Sequence, residues 1–418
     1  MSATAPQERP GRAELGRCLI ASGALRSDWA PTFAAVDRAA FLPDVMWPFV
    51  PAERLRRHGG MPSDRAVTVD RRTDPVQWYG YADSDISIVT QWDDGRHRGH
   101  RPGTVPTSSS SQPSVVHRML GALDVEAGMT VLDAGTGTGE TAGLLAHRCG
   151  ARNVTTVDVD PTVSADARER LRRQGLYVDA VIGDALGGHP AGAPYDRLLC
   201  TFGVRAVPAA WLGQMRAGGV IVMPYGTHYG NRDAVARLTV HPDGTASGPF
   251  VIPVEFMKAR AHRLQWPDAE EYVTSWPAPA RTGIQPAQLA DATFAISHAV
   301  PDIVHAAHTD PDGAPAAWFY SLTDRSWAAV RWPDADGAGE VYQQGERRVW
   351  DAVAAAYGWW ERQGRPGPER FGLTVTPEGA APWLDSPDNL LGGPVGVAEN
   401  AAVFLGSRAC DPPPPGAG

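Results

Sequence analysis

The sequence predicts an α/β protein built on a doubly wound, largely parallel sheet. One observation is a short apolar run that ends in an acid and opens into alternating glycines, Val131-Leu132-Asp133-Ala134-Gly135-Thr136-Gly137-Thr138-Gly139. Another is a second apolar run closing on acids, Val154 to Asp160. The last is the repetition of strand-like and helix-like segments through residue 224, the pattern of a sheet with helices on its faces.

The elements follow in order. Ala13–Ala24 and Pro31–Ala40 have helical periodicity, the second capped by Ser27 or Asp28. Residues 60–105 are irregular, with a strand at Asp85–Trp92 stopped by Asp93-Asp94-Gly95. Val115–Leu123 reads as a helix and Val131–Ala134 as the first sheet strand. A helix from Glu140 to His147 follows the glycines at once, so its free N–H groups face any ligand held there. Thr162–Gln174 is an amphipathic helix that Asp160 can cap before Pro161. Tyr177–Ile182, Tyr195–Thr201 and Gly219–Pro224 complete the parallel set. Val235–Val240 and Phe250–Phe256 read as antiparallel edge strands. A Pro-rich linker at 267–279 leads to a second region, residues 281–405, with strands at Ala317–Leu322, Trp327–Arg331 and Arg370–Thr376 and a helix at Gly345–Arg362.

The expected division is a catalytic domain over 1–260, with its donor-binding core at about 113–260, then a C-terminal α+β peptide-recognition region over 281–405. Residues 1 to about 12 and 406–418 read as disordered, since neither can bury a core.

Composition narrows the function. The net charge of −9 argues against general nucleic-acid binding. No apolar run is long enough to span a bilayer, and the polar N-terminus has no signal-peptide core. The four cysteines lack metal or redox spacing, which favours the cytoplasm. His97 and His100, like His305 and His308, come without a third ligand, so no metal is expected.

In a doubly wound sheet, the acid ending the second strand takes the ribose hydroxyls of a nucleoside. That acid is Asp158. Asp133, Gly135, Thr136, Gly137 and Gly139 form the first loop, and Gly183, Asp184 and Ala185 the adenine edge. There is no Gly-Lys-Ser/Thr loop and no full Gly-x-Gly-x-x-Gly spacing, so a nucleoside without a pyrophosphate fits: S-adenosyl-L-methionine. Asp133 could equally cap its own loop.

These segments resemble the class I methyltransferases, and more narrowly the protein L-isoaspartyl O-methyltransferases. The narrower likeness rests on Val131–Gly139, on Gly183-Asp184 through Ala193-Pro194-Tyr195-Asp196-Arg197 to Met223-Pro224-Tyr225-Gly226, and on Ser109-Ser110-Ser111-Gln112-Pro113. It covers roughly the first 260 residues. In that family the last segment reads Thr-Ile-Ser-Gln-Pro or a near variant, so the resemblance aligns Ser111 with the active-site serine, with Ser109 and Ser110 beside it. A serine run is also what a flexible linker looks like.

Val89-Thr90-Gln91-Trp92, Pro106 to Ser114, Phe371 to Pro377 and Trp383 to Pro387 further resemble a subgroup found with ribosomally made peptides, ATP-grasp-cyclised or lanthionine-containing. That resemblance implies an enzyme that methylates an aspartate carboxylate of a precursor peptide, leading through a succinimide to aspartimide or isoaspartate. An isoaspartate-repair methyltransferase and a non-catalytic peptide-binding module are the alternatives. The basic run Arg96-His97-Arg98-Gly99-His100-Arg101 is either a solvated loop or a clamp for an acidic, pre-cyclised peptide through Arg96, Arg98 and Arg101, with Gln112 beside it.

Overall fold

The computed structural model describes residues 9–49, 67–333 and 337–391, and the backbone of 395–396. The tail expected to be disordered at 406–418, and most of the N-terminal lead, lie outside the described residues; the first helix begins at Pro10, inside that lead.

A small antiparallel sheet comes first. Its strands are β1 (Val45–Pro48), β2 (Val69–Asp70), β3 (Ile88–Trp92) and β4 (Pro106–Ser110), in the order β2-β1-β3-β4. The serine run is therefore mostly an edge strand, with Ser110 opposite Ile88 and Ser109 opposite Val89. Cross-strand pairing fixes these serines in a way a linker would not.

The large sheet begins with β5 (Val131–Ala134), β6 (Val154–Asp158), β7 (Asp179–Ile182), β8 (Tyr195–Cys200) and β9 (Met215–Tyr225), which are mutually parallel. Asp160 caps the helix Pro161–Arg173, accepting the N–H groups of Thr162 and Val163 at 2.9 and 3.1 Å. Strands β10 (Asp233–Val240) and β11 (Ala246–Val254) extend the sheet antiparallel.

A second antiparallel sheet holds β12 (Ala280–Thr282), β13 (Ile303–Thr309), β14 (Pro315–Ser321), β15 (Trp327–Arg331) and β16 (Gly339–Gln344), in the order β12-β16-β15-β14-β13. The helices Pro286–Ala299 and Val349–Arg362 pack between the sheets.

The chain then returns to the large sheet as β17 (Phe371–Thr376), β18 (Gly379–Leu384) and β19 (Val395–Gly396), giving the order β19-β18-β17-β11-β10-β9-β8-β5-β6-β7. Neither β10 nor β11 is an edge, because β17 pairs with β11 from Ala246 opposite Val375 to Pro249 opposite Gly372. An uncovered β11 would leave a row of N–H and C=O groups without partners.

One apolar core joins Leu132, Ile221 and Phe250 of this sheet to Phe294, Trp350 and Phe371. The division expected near residues 260–281 is thus a change of composition, not a break in the core. Clean excision of 281–405 is not expected, since it strips a packed face and the paired strand β17 from the large sheet.

Candidate active site

The strand order reverses at β5, with β6 and β7 on one side and β8 and β9 on the other. Ligands of such sheets sit beyond the carboxyl ends of the strands at that reversal. A cavity of about 340 Å³ lies there, lined by the glycine loop, Asp158, Asp184 and the serine strand.

Gly135 and Gly137 follow β5 with φ of 99° and 51°. A Cβ at Gly135 would sit 2.9 Å from the Phe202 ring, so both space and backbone angle require glycine there. Gly137 donates its N–H to Asp158 Oδ2 at 3.0 Å, and Asp160 donates to Oδ1 at 2.9 Å. The acid that ends β6 thereby ties the glycine loop to its own strand. Burial raises the pKa of Asp158, and these two N–H groups oppose the rise.

Asp133 is fully buried behind the loop and does not line the cavity. Thr136 donates to Thr156, and Thr156 to Asp133 Oδ2, each at 2.8 Å. Asp133 Oδ1 has no hydrogen-bond partner among the described residues, and burial pushes the carboxyl up to about 7. Of the expected adenine edge, Asp184 and Ala185 line the cavity while Gly183 lies just outside. Gly139 also lies outside, where it starts the helix Glu140–Cys149 against Ala167.

The three serines separate by what their hydroxyls do. Ser110 is buried; it donates to Glu140 Oε2 at 2.7 Å and accepts from Arg38 Nε at 2.9 Å. That hydroxyl is spent on structure. Arg38 also donates to the carbonyls of Ser110 and Ser111, so this guanidinium holds the turn in place. The hydroxyls of Ser109 and Ser111 make no hydrogen bond among the described residues. Both residues line the cavity and also a second, larger one.

That second space is a groove of about 1320 Å³. One wall carries Val89, Ser111 and Gln112, and another Arg205, Lys258 and His262. The helix Pro286–Ala299 and strands β13 and β14 supply Leu289, Thr293, Val304 and Ala317. Ser109, Ser111, Thr201, Met257, Lys258 and Arg263 border both spaces, so the two communicate there.

The basic run lies elsewhere. Arg96, Arg98 and Arg101 border neither space. Trp47 Nε1 donates to the His100 carbonyl at 2.9 Å and pins the loop by its backbone, leaving its guanidiniums toward solvent. The arginines and lysine that do line the two spaces are Arg205, Arg232, Lys258, Arg260 and Arg263, which sequence reasoning missed. They fall in segments without periodicity or motif, and only the chain's return past β8 brings them together. Arg260 bonds Asp160 at 2.9 Å and pairs with Asp94 Oδ1 at 3.0 Å, while Arg263 donates to both oxygens of Asp94 at 3.0 and 2.9 Å. This bridge spans from the β3–β4 loop to the donor cavity.

Residues 56–262 match the family described as protein-L-isoaspartate(D-aspartate) O-methyltransferase. Over 157 residues the chain is 34% identical to protein-L-isoaspartate O-methyltransferase 2 of Polaromonas sp., covering 37% of this chain and 72% of that protein. The chain belongs to this family. Its fold is that of the class I S-adenosylmethionine-dependent methyltransferases, with an added C-terminal α+β region. The protein-L-isoaspartate O-methyltransferase of Xanthobacter autotrophicus is 44% identical over 117 residues, covering 28% of this chain and 52% of that one. The chain thus spans about half the length of that relative. A solved protein-L-isoaspartate O-methyltransferase superposes with a TM-score of 0.49 at 20% identity, covering 90% of this chain and all of that one. The family match ends at His262, so the helix and strands that wall the far side of the groove lie beyond it.

Proposed function

We propose that this protein is an S-adenosylmethionine-dependent carboxyl O-methyltransferase acting on an aspartate side chain of a ribosomally made precursor peptide. One observation carries the reading. The donor cavity opens, at Ser109 and Ser111, into a groove partly walled by residues outside the family match. The cavity fits the donor: two glycines clear space for it, Asp158 stands where a ribose diol needs an acceptor, and Asp184 stands at the adenine edge. When bound, the donor supplies an electrophilic methyl group.

The acceptor carboxylate is already ionised at neutral pH, so the site needs no strong base. Its task is to orient the anion and strip water from it. Ser111 offers a free hydroxyl for that purpose, on a backbone fixed by Arg38. An aspartyl methyl ester then has a better leaving group than a carboxylate. Attack by the next backbone nitrogen is intramolecular, forms a succinimide and releases methanol; water reopens the ring mainly to isoaspartate. The reading places the reaction in the cytoplasm, where ribosomes deliver the precursor. Among the described residues no helix is long and apolar enough to cross a membrane.

Repair of isoaspartate in damaged protein is the second reading, favoured by the relatives' names. Mass spectrometry after incubation with donor separates the two. One substrate is a precursor peptide encoded beside the gene; the other is an unrelated isoaspartyl peptide. Gain of a methyl followed by loss of methanol on the precursor alone supports the dedicated enzyme. Equal methylation of any isoaspartyl peptide, with the precursor untouched, replaces it with repair.

A further inference from the structure

Resting on that methyl-transfer reading, we propose that Lys258 and Arg205, on either side of the buried Asp233, form the anion pocket that positions the acceptor carboxylate. The Asp233 side chain is wholly buried. Arg205 Nη1 meets its Oδ1 at 2.9 Å and Lys258 Nζ meets its Oδ2. The cations themselves are only 8% and 10% exposed. Within this trio two positive charges share one buried negative; Glu255, also on the groove wall, is a further carboxylate whose charge Lys258 feels. A buried charge without a partner is costly, which makes this wall favourable to an anion.

Several donors here are unspent. Arg205 Nε is buried without a hydrogen-bond partner among the described residues. Lys258 uses two of its three N–H groups, on Asp233 and on the Phe256 carbonyl at 2.7 Å. His262 Nδ1 accepts the Arg205 backbone N–H at 3.2 Å, so in its neutral form the ring proton sits on Nε2. Lys258 borders both the donor cavity and the groove; Arg205 and His262 border the groove.

The cluster is built in, with room made for it. A Cβ at Gly203 would lie 3.1 Å from Lys258 Nζ and 3.1 Å from Asp233 Oδ2. At Gly226 it would lie 2.1 Å from Asp233 Oδ1 and 2.9 Å from Arg205 Nη1. Gly203 also donates to the Met257 carbonyl at 2.8 Å and accepts from Ala259 N–H at 3.0 Å, which pegs Lys258 in position.

The sharing of Asp233 suits the chemistry. A cation gripping the carboxylate alone would quench the nucleophile. One that already leans on Asp233 orients it with less withdrawal of charge. In the transfer, the carboxylate oxygen forms its bond to the methyl carbon as the sulfur–carbon bond breaks, and that electron pair stays on sulfur. The acceptor's negative charge and the donor's positive charge vanish together, and no proton moves. The product ester is neutral, so the pocket holds it less tightly than the acid.

The test uses the full chain saturated with S-adenosylhomocysteine. Two synthetic peptides of the precursor sequence differ only in carrying the acceptor aspartate or the matching asparagine. Wild type should bind the acid over the amide. K258Q should weaken the acid roughly ten- to hundredfold, leave the amide and S-adenosylhomocysteine unchanged, and be rescued by K258R. If K258Q loses donor-site affinity along with its fold, R205Q is measured against the same pair, with the same selective loss expected and rescue by R205K. Wild type that binds acid and amide alike, or a K258Q variant that keeps acid preference, overturns the pocket. Methylation runs in parallel. Normal wild-type turnover with an unchanged KM in K258Q sinks the pocket alone. No turnover, with Lys258-dependent acid selectivity, sinks the methyl-transfer reading and supports the pocket.

Discussion

Replacing Asp158 by Ala removes two things at once. Its carboxylate accepts the Gly137 N–H at 3.0 Å and the Asp160 N–H at 2.9 Å, holding the glycine loop against the end of β6. It also lines the cavity at the end of β6, where the proposed reading sets the ribose diol of the donor against it. Leaving ribose hydroxyls without that acceptor costs about 1–3 kcal/mol. The dissociation constant for S-adenosylhomocysteine should therefore rise roughly five- to hundredfold in D158A. D158N keeps the shape and one acceptor oxygen, so its loss should fall between D158A and wild type. Titration calorimetry at fixed pH reads both, and a thermal melt shows whether the loop change has spread to the fold. A folded D158A that binds S-adenosylhomocysteine as wild type does would refute the placement of the nucleoside at the end of β6.

Three further outcomes are expected. S111A should lower kcat with little change in donor affinity, because its hydroxyl is unbonded and borders both spaces; S110A should instead lower stability by about 1–3 kcal/mol, since Arg38 and Glu140 lose a shared partner. Wild-type turnover in S111A at saturating peptide would move the orienting role to Ser109. R260A should speed release of S-adenosylhomocysteine, since Arg260 ties Asp160 to Asp94 beside the donor cavity; unchanged stopped-flow release would show that the bridge gates nothing. For Asp133, burial raises the folded pKa to about 7, above an unfolded value near 4, so its contribution to stability is full below pH 4 and lost as pH rises through 7. D133N should abolish that slope and be more stable than wild type at pH 8 by up to about 4 kcal/mol, and parallel urea-unfolding curves for the two proteins at pH 5 and pH 8 would sink the assignment.

The parallel core was legible because its signals are local. Each strand from β5 to β9 carries its own apolar run, and Asp160 announces the helix it caps. The C-terminal architecture was not, because its decisive event is a pairing across more than 120 residues between β11 and β17. The run Phe250–Phe256 shows that a strand forms, but not that it begins at Ala246 or who covers its edge. The helix Pro286–Ala299 was missed for another reason. It is buried on much of its surface, so its apolar residues do not repeat in a clean stripe. In the site, motif residues such as Gly135, Asp158 and Ser111 were readable by position in the chain. Arg38, Arg205 and Lys258 were not, because a lone cation in a loop has no periodicity and its role follows from what the fold places beside it.

The way the C-terminal region is attached bears on how the enzyme would choose substrates. A hinged specificity domain would present peptide to the methyl site through motion. Here the groove's far wall is welded to the sheet. Phe294 packs edge-on against Phe250 of β11 at 5.3 Å and against Phe371 of β17 at 5.4 Å, within one core. The same helix turns Leu289 and Thr293 toward the groove. His305, also on the groove, stacks on Tyr229 at 4.2 Å and bonds its carbonyl. Substrate-facing residues and core residues thus share elements, so the groove cannot widen without disturbing the packing of β9–β11. A fixed wall lowers the ordering cost for a peptide that already has the matching shape, and a cyclised peptide is such a ligand. It also penalises chains that must be forced to fit. On the proposed reading, such a wall suits one constrained peptide better than varied, unfolded segments, and equal binding of a cyclised peptide and its linear form would refute that.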